Sequence, residues 1–229
     1  MDLATLRRRL MAAGYSPAAE AAPYGSADRM AIAQALKDGP DWRLDDSDVE
    51  AAAHRLGVAA AKILTVWDVE ATAKPFVDGL PTILFEPHRF SKATGHQYDA
   101  SHPTLSSRAW NRALYPASQA GRWSQLLDAV GLDVDAGFAS ASYGGFQILG
   151  ENYAVCGAPS PWAFAWRQAQ TEADQLEAFV LFVESNGLKP ALQRGDWAAF
   201  ARGYNGTAYR ENKYDQRLAA AFAKRSAGA

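Results

Sequence analysis

Apolar residues recur along this chain at helical spacing, and one such stripe ends in a carboxylate. Ile63, Val66, Trp67 and Glu70 fall at i, i+3, i+4 and i+7, one face of a helix in which three large apolar side chains point into a core. Pro75 bars the helix from continuing. The same spacing predicts a helix over residues 3–13, with Leu3, Leu6, Leu10 and Ala13 on one face. Ser26 reads as the N-cap of a second helix, Ala27 to Lys37, with Met30 and Ala33 inward. Asp38-Gly39-Pro40-Asp41 breaks that helix and reads as a linker. Residues 1–42 are therefore expected to be a short helical segment ahead of a main domain at 43–229.

Asp45 to Asp48 opens a third helix carrying Val49, Ala52, Ala53 and Leu56, and the Glu70 helix follows from near Val58. Then the period changes. Lys74–Val77 and Leu80–Phe85 flank Asp78-Gly79, a tight hairpin signal, and Thr82, Leu84 and Glu86 share one face of its second strand until Pro87 ends pairing. His88 to Gln119 is polar and irregular, the kind of long loop that carries function. Helical pattern returns at Gly121–Val130 and at Thr171–Glu184, where Leu176, Phe179, Val180 and Val183 face inward. Asp196 caps a short helix through Phe200, Tyr204-Asn205-Gly206 reads as a turn, and Asn212–Lys224 forms a last helix. The sum is mainly α (α+β), helix-dominated with one small β-hairpin.

Composition narrows the field. With 229 residues, 48% of them hydrophobic and seven of them Trp, the chain can bury a substantial core. A net charge of −2 gives no basic field for nucleic acid, and Arg7-Arg8-Arg9 reads as the solvated face of the first helix. The single cysteine, Cys156, excludes an internal disulfide and is best read as a buried thiol. No apolar run reaches membrane-spanning length, and the early arginines interrupt any signal-peptide pattern.

A glutamate on an apolar stripe loses hydration, so Glu70 is expected to hold its proton near neutrality, as a general acid requires. The plainer alternative is that it emerges into solvent at the helix end. Glu86 can return across a cleft on the hairpin as a second carboxylate, or pair with Arg89; Asp99 is the runner-up, or an Asx-turn residue. Gly144 and Gly145 would let backbone approach a flat ligand, and Gln147 would hydrogen-bond it; a tight turn packing Phe146 and Ile148 is the other reading. Glu86, His88, His96 and His102 lack metal-ligand spacing, and every histidine precedes Cys156, the wrong order for a wall cysteine peptidase.

Five stretches stand in a consistent order across about residues 46–225: Asp68-Val-Glu70-Ala, Gly79 to His88, Tyr98 to Pro103, Ala139 to Ile148, and Phe200 to Gly206. Together they resemble the N-acetylmuramidase family of bacteriophage endolysins, within the lysozyme superfamily. The resemblance implies cleavage of the β-1,4 bond between N-acetylmuramic acid and N-acetylglucosamine in peptidoglycan, with Glu70 as acid. It implies no cofactor, and it makes Glu86 the leading second carboxylate, with His88, Asp99, Tyr143, Gly144, Gln147, Tyr204 and Asn205 as substrate-binding candidates. Ala71-Thr72-Ala73-Lys74 replaces the family's glycine-rich surroundings, which would bring Lys74 near the cleft, and Pro87 departs from the family pattern just before His88. Residues 1–42 faintly resemble the first helices of a peptidoglycan-binding module. Such an enzyme would act as a monomer, be made in the host cytoplasm without a signal peptide, and reach the wall after release or export. A lytic transglycosylase shares the same stretches and uses one glutamate; a non-catalytic wall-binding protein is the rival from outside enzymology.

Overall fold

The computed structural model describes residues 1–70 and 74–227. Helix α1 (Leu3–Ala12) starts at Asp2, whose side chain accepts from Thr5 N. Helix α2 (Ser26–Lys37) starts one residue earlier than expected, at a Gly25 cap whose N–H donates to Asp28. Its inward face is also different: Ala31, Ile32, Ala35 and Leu36 are buried and Met30 is 71% exposed. The cause is a buried ion pair. Arg7 is not solvated but 1% exposed, and its Nε and Nη2 each donate to Asp28 at 2.7 Å. Its other N–H groups reach the carbonyls of Ala19, Glu20, Ala22 and Pro23. Turning Asp28 toward Arg7 rotates α2 and carries Met30 outward.

The stretch read as a linker is packed. Asp41 N donates to Gln170 O at 2.9 Å, and a Cβ on Gly39 would fall 2.0 Å from Ala169 O, so only glycine fits there. Leu6, Leu10, Ile32 and Leu36 belong to the same buried cluster as the rest of the chain.

Helix α3 (Asp46–Leu56) begins with a reciprocal Asp45–Asp48 capping box, and α4 (Ala60–Glu70) follows. The Asp78-Gly79 turn joins β1 (Phe76–Val77) to β2 (Leu80–Pro81) as expected, but the second strand does not run on to Phe85. Pro81 has no N–H to continue the ladder. The chain changes sheets at Thr82, and β3 (Ile83–Phe85) pairs antiparallel with β4 (Ala141–Tyr143), which pairs with β5 (Ile148–Leu149). Pro87 ends pairing and also begins a helix, α5 (Pro87–Ala93), inside the stretch read as irregular.

After a loop with a 3₁₀ turn at Arg112–Leu114, α6 (Gln119–Leu132) packs on β3 and α7 (Val134–Ala139) packs on α6. Helices α8 (Pro161–Gln168), α9 (Glu172–Ser185), α10 (Lys189–Arg194), α11 (Trp197–Asn205) and α12 (Tyr214–Ala227) complete the described chain. The four residues expected inward on α9 are buried. Tyr204 and Asn205 form the last turn of α11 and not a free turn, because the Tyr204 ring stacks on Phe200 and its hydroxyl donates to Phe146 O at 2.7 Å. Helix α12 lies along α4, where Arg225 grips Asp68 with two hydrogen bonds. The fold is mainly helical with small antiparallel sheets, and none of the described helices is long and apolar enough to cross a membrane.

Candidate active site

The apolar stripe of α4 does what its spacing predicts. Ile63 and Val66 are fully buried, Trp67 meets Phe146 edge-on at 4.8 Å, and Glu70 on the same face is 9% exposed. Around its carboxyl group the fold supplies little charge. Asn205, from the end of α11, donates its amide to Glu70 Oε1 at 2.8 Å. Arg217 of α12 stands nearby but spends a donor on Val69 O at 2.8 Å. Burial pushes the Glu70 carboxyl up to about 7, against the smaller opposing pull of the Asn205 amide and the Arg217 charge.

Glu86 sits where β3 hands over to α5. Its Oε2 accepts from the Tyr115 hydroxyl and lies 3.3 Å from His88 Nδ1. Burial raises its pKa too, while the Tyr115 hydrogen bond and the Arg89 charge favour the anion. The bridge to Arg89 allowed by the sequence is not made, since Arg89 pairs with Glu151 at 3.0 Å. Pro87 at the first turn of α5 leaves His88 beside Glu86, and burial followed by the Arg89 charge lowers the His88 pKa. The imidazole is therefore favoured in its neutral form.

Glu70 and Glu86 line one cleft of about 500 Å³, along with His88, Gln147, Tyr204 and Asn205. Gln147 holds itself in place: its amide donates to Gly144 O at 2.7 Å and Thr82 O at 3.3 Å, and its Oε1 accepts from Ser142. Four residues expected to face substrate are elsewhere. Tyr143 is fully buried with its hydroxyl on Phe138 O at 2.8 Å; strand alternation turns Ser142 to the cleft instead. Gly144 and Gly145 admit the protein's own side chains and not a ligand, for a Cβ would meet Gln175 at 2.4 Å and Trp67 at 2.5 Å respectively. Asp99 stitches the loop, accepting from Ser106 at 2.5 Å and lying 3.3 Å from Arg108, and hydrogen bonds hold its pKa down.

Lys74 is exposed and outside the cleft lining, its carbonyl taken by the Thr82 hydroxyl; Ala71–Ala73 lie outside the described residues. Cys156 is fully buried, and burial pushes its thiol up to about 12, which leaves no thiolate to act as a nucleophile. Among the described residues no three His, Cys, Asp or Glu side chains gather as a metal-binding group.

Sequence reasoning missed Tyr115 and Arg217. Tyr115 lies in a stretch without periodicity, and Arg217 meets Val69 from 148 residues away, so no local pattern points to either. Ser142 reaches the cleft by pairing with Leu84 across a sheet that the sequence pattern did not show.

A buried and a half-buried carboxylate across one cleft, in unlike surroundings, suit an acid that keeps its proton and a partner that donors hold. Comparison with known proteins agrees in kind. The family described as Muramidase, N-acetylmuramidase, matches residues 59–226. Among solved structures, the crystal structure of the Burkholderia AP3 phage endolysin is 34% identical, with a TM-score of 0.73, over 99% of this chain and 95% of that one. No curated relative matches.

Proposed function

Because this chain belongs to the N-acetylmuramidase family and is a peptidoglycan hydrolase of the lysozyme type, we propose that Glu70 is its general acid and Glu86 its second carboxylate. The observation that carries the assignment is the burial of Glu70, which keeps its carboxyl half protonated near pH 7. The glycan strand lies in the cleft with the scissile oxygen at Glu70. Proton transfer from Glu70 to that oxygen lets the C1–O bond break, with the bonding electrons leaving on the oxygen. Positive charge then builds on the sugar ring, and the Glu86 carboxylate, held by Tyr115, opposes it. Water then adds at C1 and its proton passes to the Glu70 carboxylate, which restores the acid. His88 and Asn205 act on the carboxylates: neutral His88 flanks Glu86, and the Asn205 amide orients Glu70.

The test is mass spectrometry of soluble muropeptides released from purified peptidoglycan, before and after borohydride reduction. Products ending in reducible muramic acid, absent with Glu70→Gln, are expected. Release of 1,6-anhydro ends inert to borohydride would put a hydroxyl of the sugar itself in place of water and overturn hydrolysis, and undiminished release by Glu70→Gln would remove Glu70 as acid.

A further inference from the structure

The loop between α5 and α6 presents a residue that the two carboxylates do not account for. Trp110 is 63% exposed, and a large indole left in water forgoes most of what burial contributes. Single exposed apolar side chains are common on protein surfaces. Met11, Met30, Trp42, Val155 and Trp166 are of that kind, and among the described residues none of them pairs with a ring that holds a cleft carboxylate. Trp110 is tied to the cleft through one intermediary. Its ring packs on Tyr115, with centroids 6.0 Å apart, and the Tyr115 hydroxyl donates to Glu86.

The loop is also tethered. Ser107 N donates to Pro87 O at 3.3 Å, docking the loop against the start of α5. The Asn111 side chain accepts from Ala113 N at 3.0 Å and opens the 3₁₀ turn. From α6, the Gln125 amide donates to Thr104 O and Leu114 O, both at 2.9 Å. An aromatic ring presented on a pinned loop has less freedom to lose when a ligand covers it.

We propose that Trp110 is the platform of a saccharide subsite beyond Glu86, stacking on the C–H face of an N-acetylhexosamine ring in the glycan strand. A pyranose ring shows a row of C–H groups on one face and hydroxyls at its rim. A flat, neutral indole covers the first and leaves the second in water. Tyr115 touches the indole and holds Glu86, so one ring links the platform to the carboxylate. The assignment rests on the glycosidase reading of the cleft and extends it to substrate length.

The test is kcat and KM on peptide-free glycan strands of graded length for wild type, Trp110→Ala and Trp110→Phe. It is joined by calorimetric strand binding to Glu70→Gln with and without Trp110→Ala. Trp110→Ala is expected to raise KM and strand Kd roughly three- to tenfold, with kcat falling far less, and Trp110→Phe to recover most of the loss. The penalty should vanish on strands too short to reach the indole. Unchanged KM and Kd would overturn the proposal. So would a fall in kcat at constant KM, which would make Trp110 a prop for Tyr115. Full turnover by Glu70→Gln would instead sink the acid assignment, and the binding measurement would still judge Trp110.

Discussion

Two buried acids in this molecule have opposite fates. Asp28 is fully buried between α1 and α2, and Glu70 is 9% exposed at the end of α4. Burial alone would raise both pKa values. At Asp28 the two Arg7 hydrogen bonds, the Gly25 N–H and the Arg7 charge outweigh it and hold the carboxyl below its usual value. At Glu70 a neutral Asn205 amide and a guanidinium hydrogen-bonded to the Val69 carbonyl do not, and the carboxyl rises to about 7. A buried acid becomes structural when a full counter-charge faces it and reactive when only a dipole does.

Removing the reactive carboxyl should have the largest effect. Glu70→Gln keeps an acceptor for Asn205 but has no proton to give, so kcat on peptidoglycan is expected to fall about 10²- to 10⁴-fold; a turbidity or reducing-end assay reads it. At the structural acid the effect should be on folding. Asp28→Asn leaves Arg7 buried without its counter-ion, and an expected loss of about 3–5 kcal/mol is measured by denaturant unfolding. Activity per folded molecule should stay at the wild-type level, which separates the two sites.

The third effect is on pH. Glu70 has a folded pKa above its unfolded value of 4.5, so the native state binds more protons between about pH 4.5 and 7 and stability falls as pH rises through that window. Glu70→Gln should remove this fall and be more stable than wild type at pH 8 by roughly 3 kcal/mol. In the wild type, kcat/KM should decline as pH passes about 7 and the acid loses its proton. Asp28, with its lowered pKa, runs the other way: its contribution is present above about pH 4 and disappears as acid protonates it. The smallest effect tests the dipole at Glu70. Asn205→Ala removes a hydrogen bond that favours the anion, so the alkaline limb of the activity profile should move up, by about one unit or less. A downward move would mean that Asn205 does not hold the carboxylate.

The helices were legible wherever a one-sided apolar stripe met a capping residue. The faces of α3, α4 and α9 and the Asp78-Gly79 turn can all be read without coordinates, because each depends on neighbours within four residues. Reading failed where a distant partner overruled the local pattern. Arg7 looks solvated until Asp28 is placed beside it, 21 residues on. Met30 looks inward until that pair rotates α2. The strand from Leu80 to Phe85 looks continuous, yet β4, more than fifty residues away, claims its second half.

At the site the same division holds. That Glu70 lies on a buried face follows from four residues of spacing, and the sequence alone determined it, since helical period dictates which side chains share a face. Which groups surround that carboxyl was decided only by the tertiary structure. Asn205 and Arg217 come from two separate segments, and their charge and hydrogen bonds act through space, a distance the order of residues does not record.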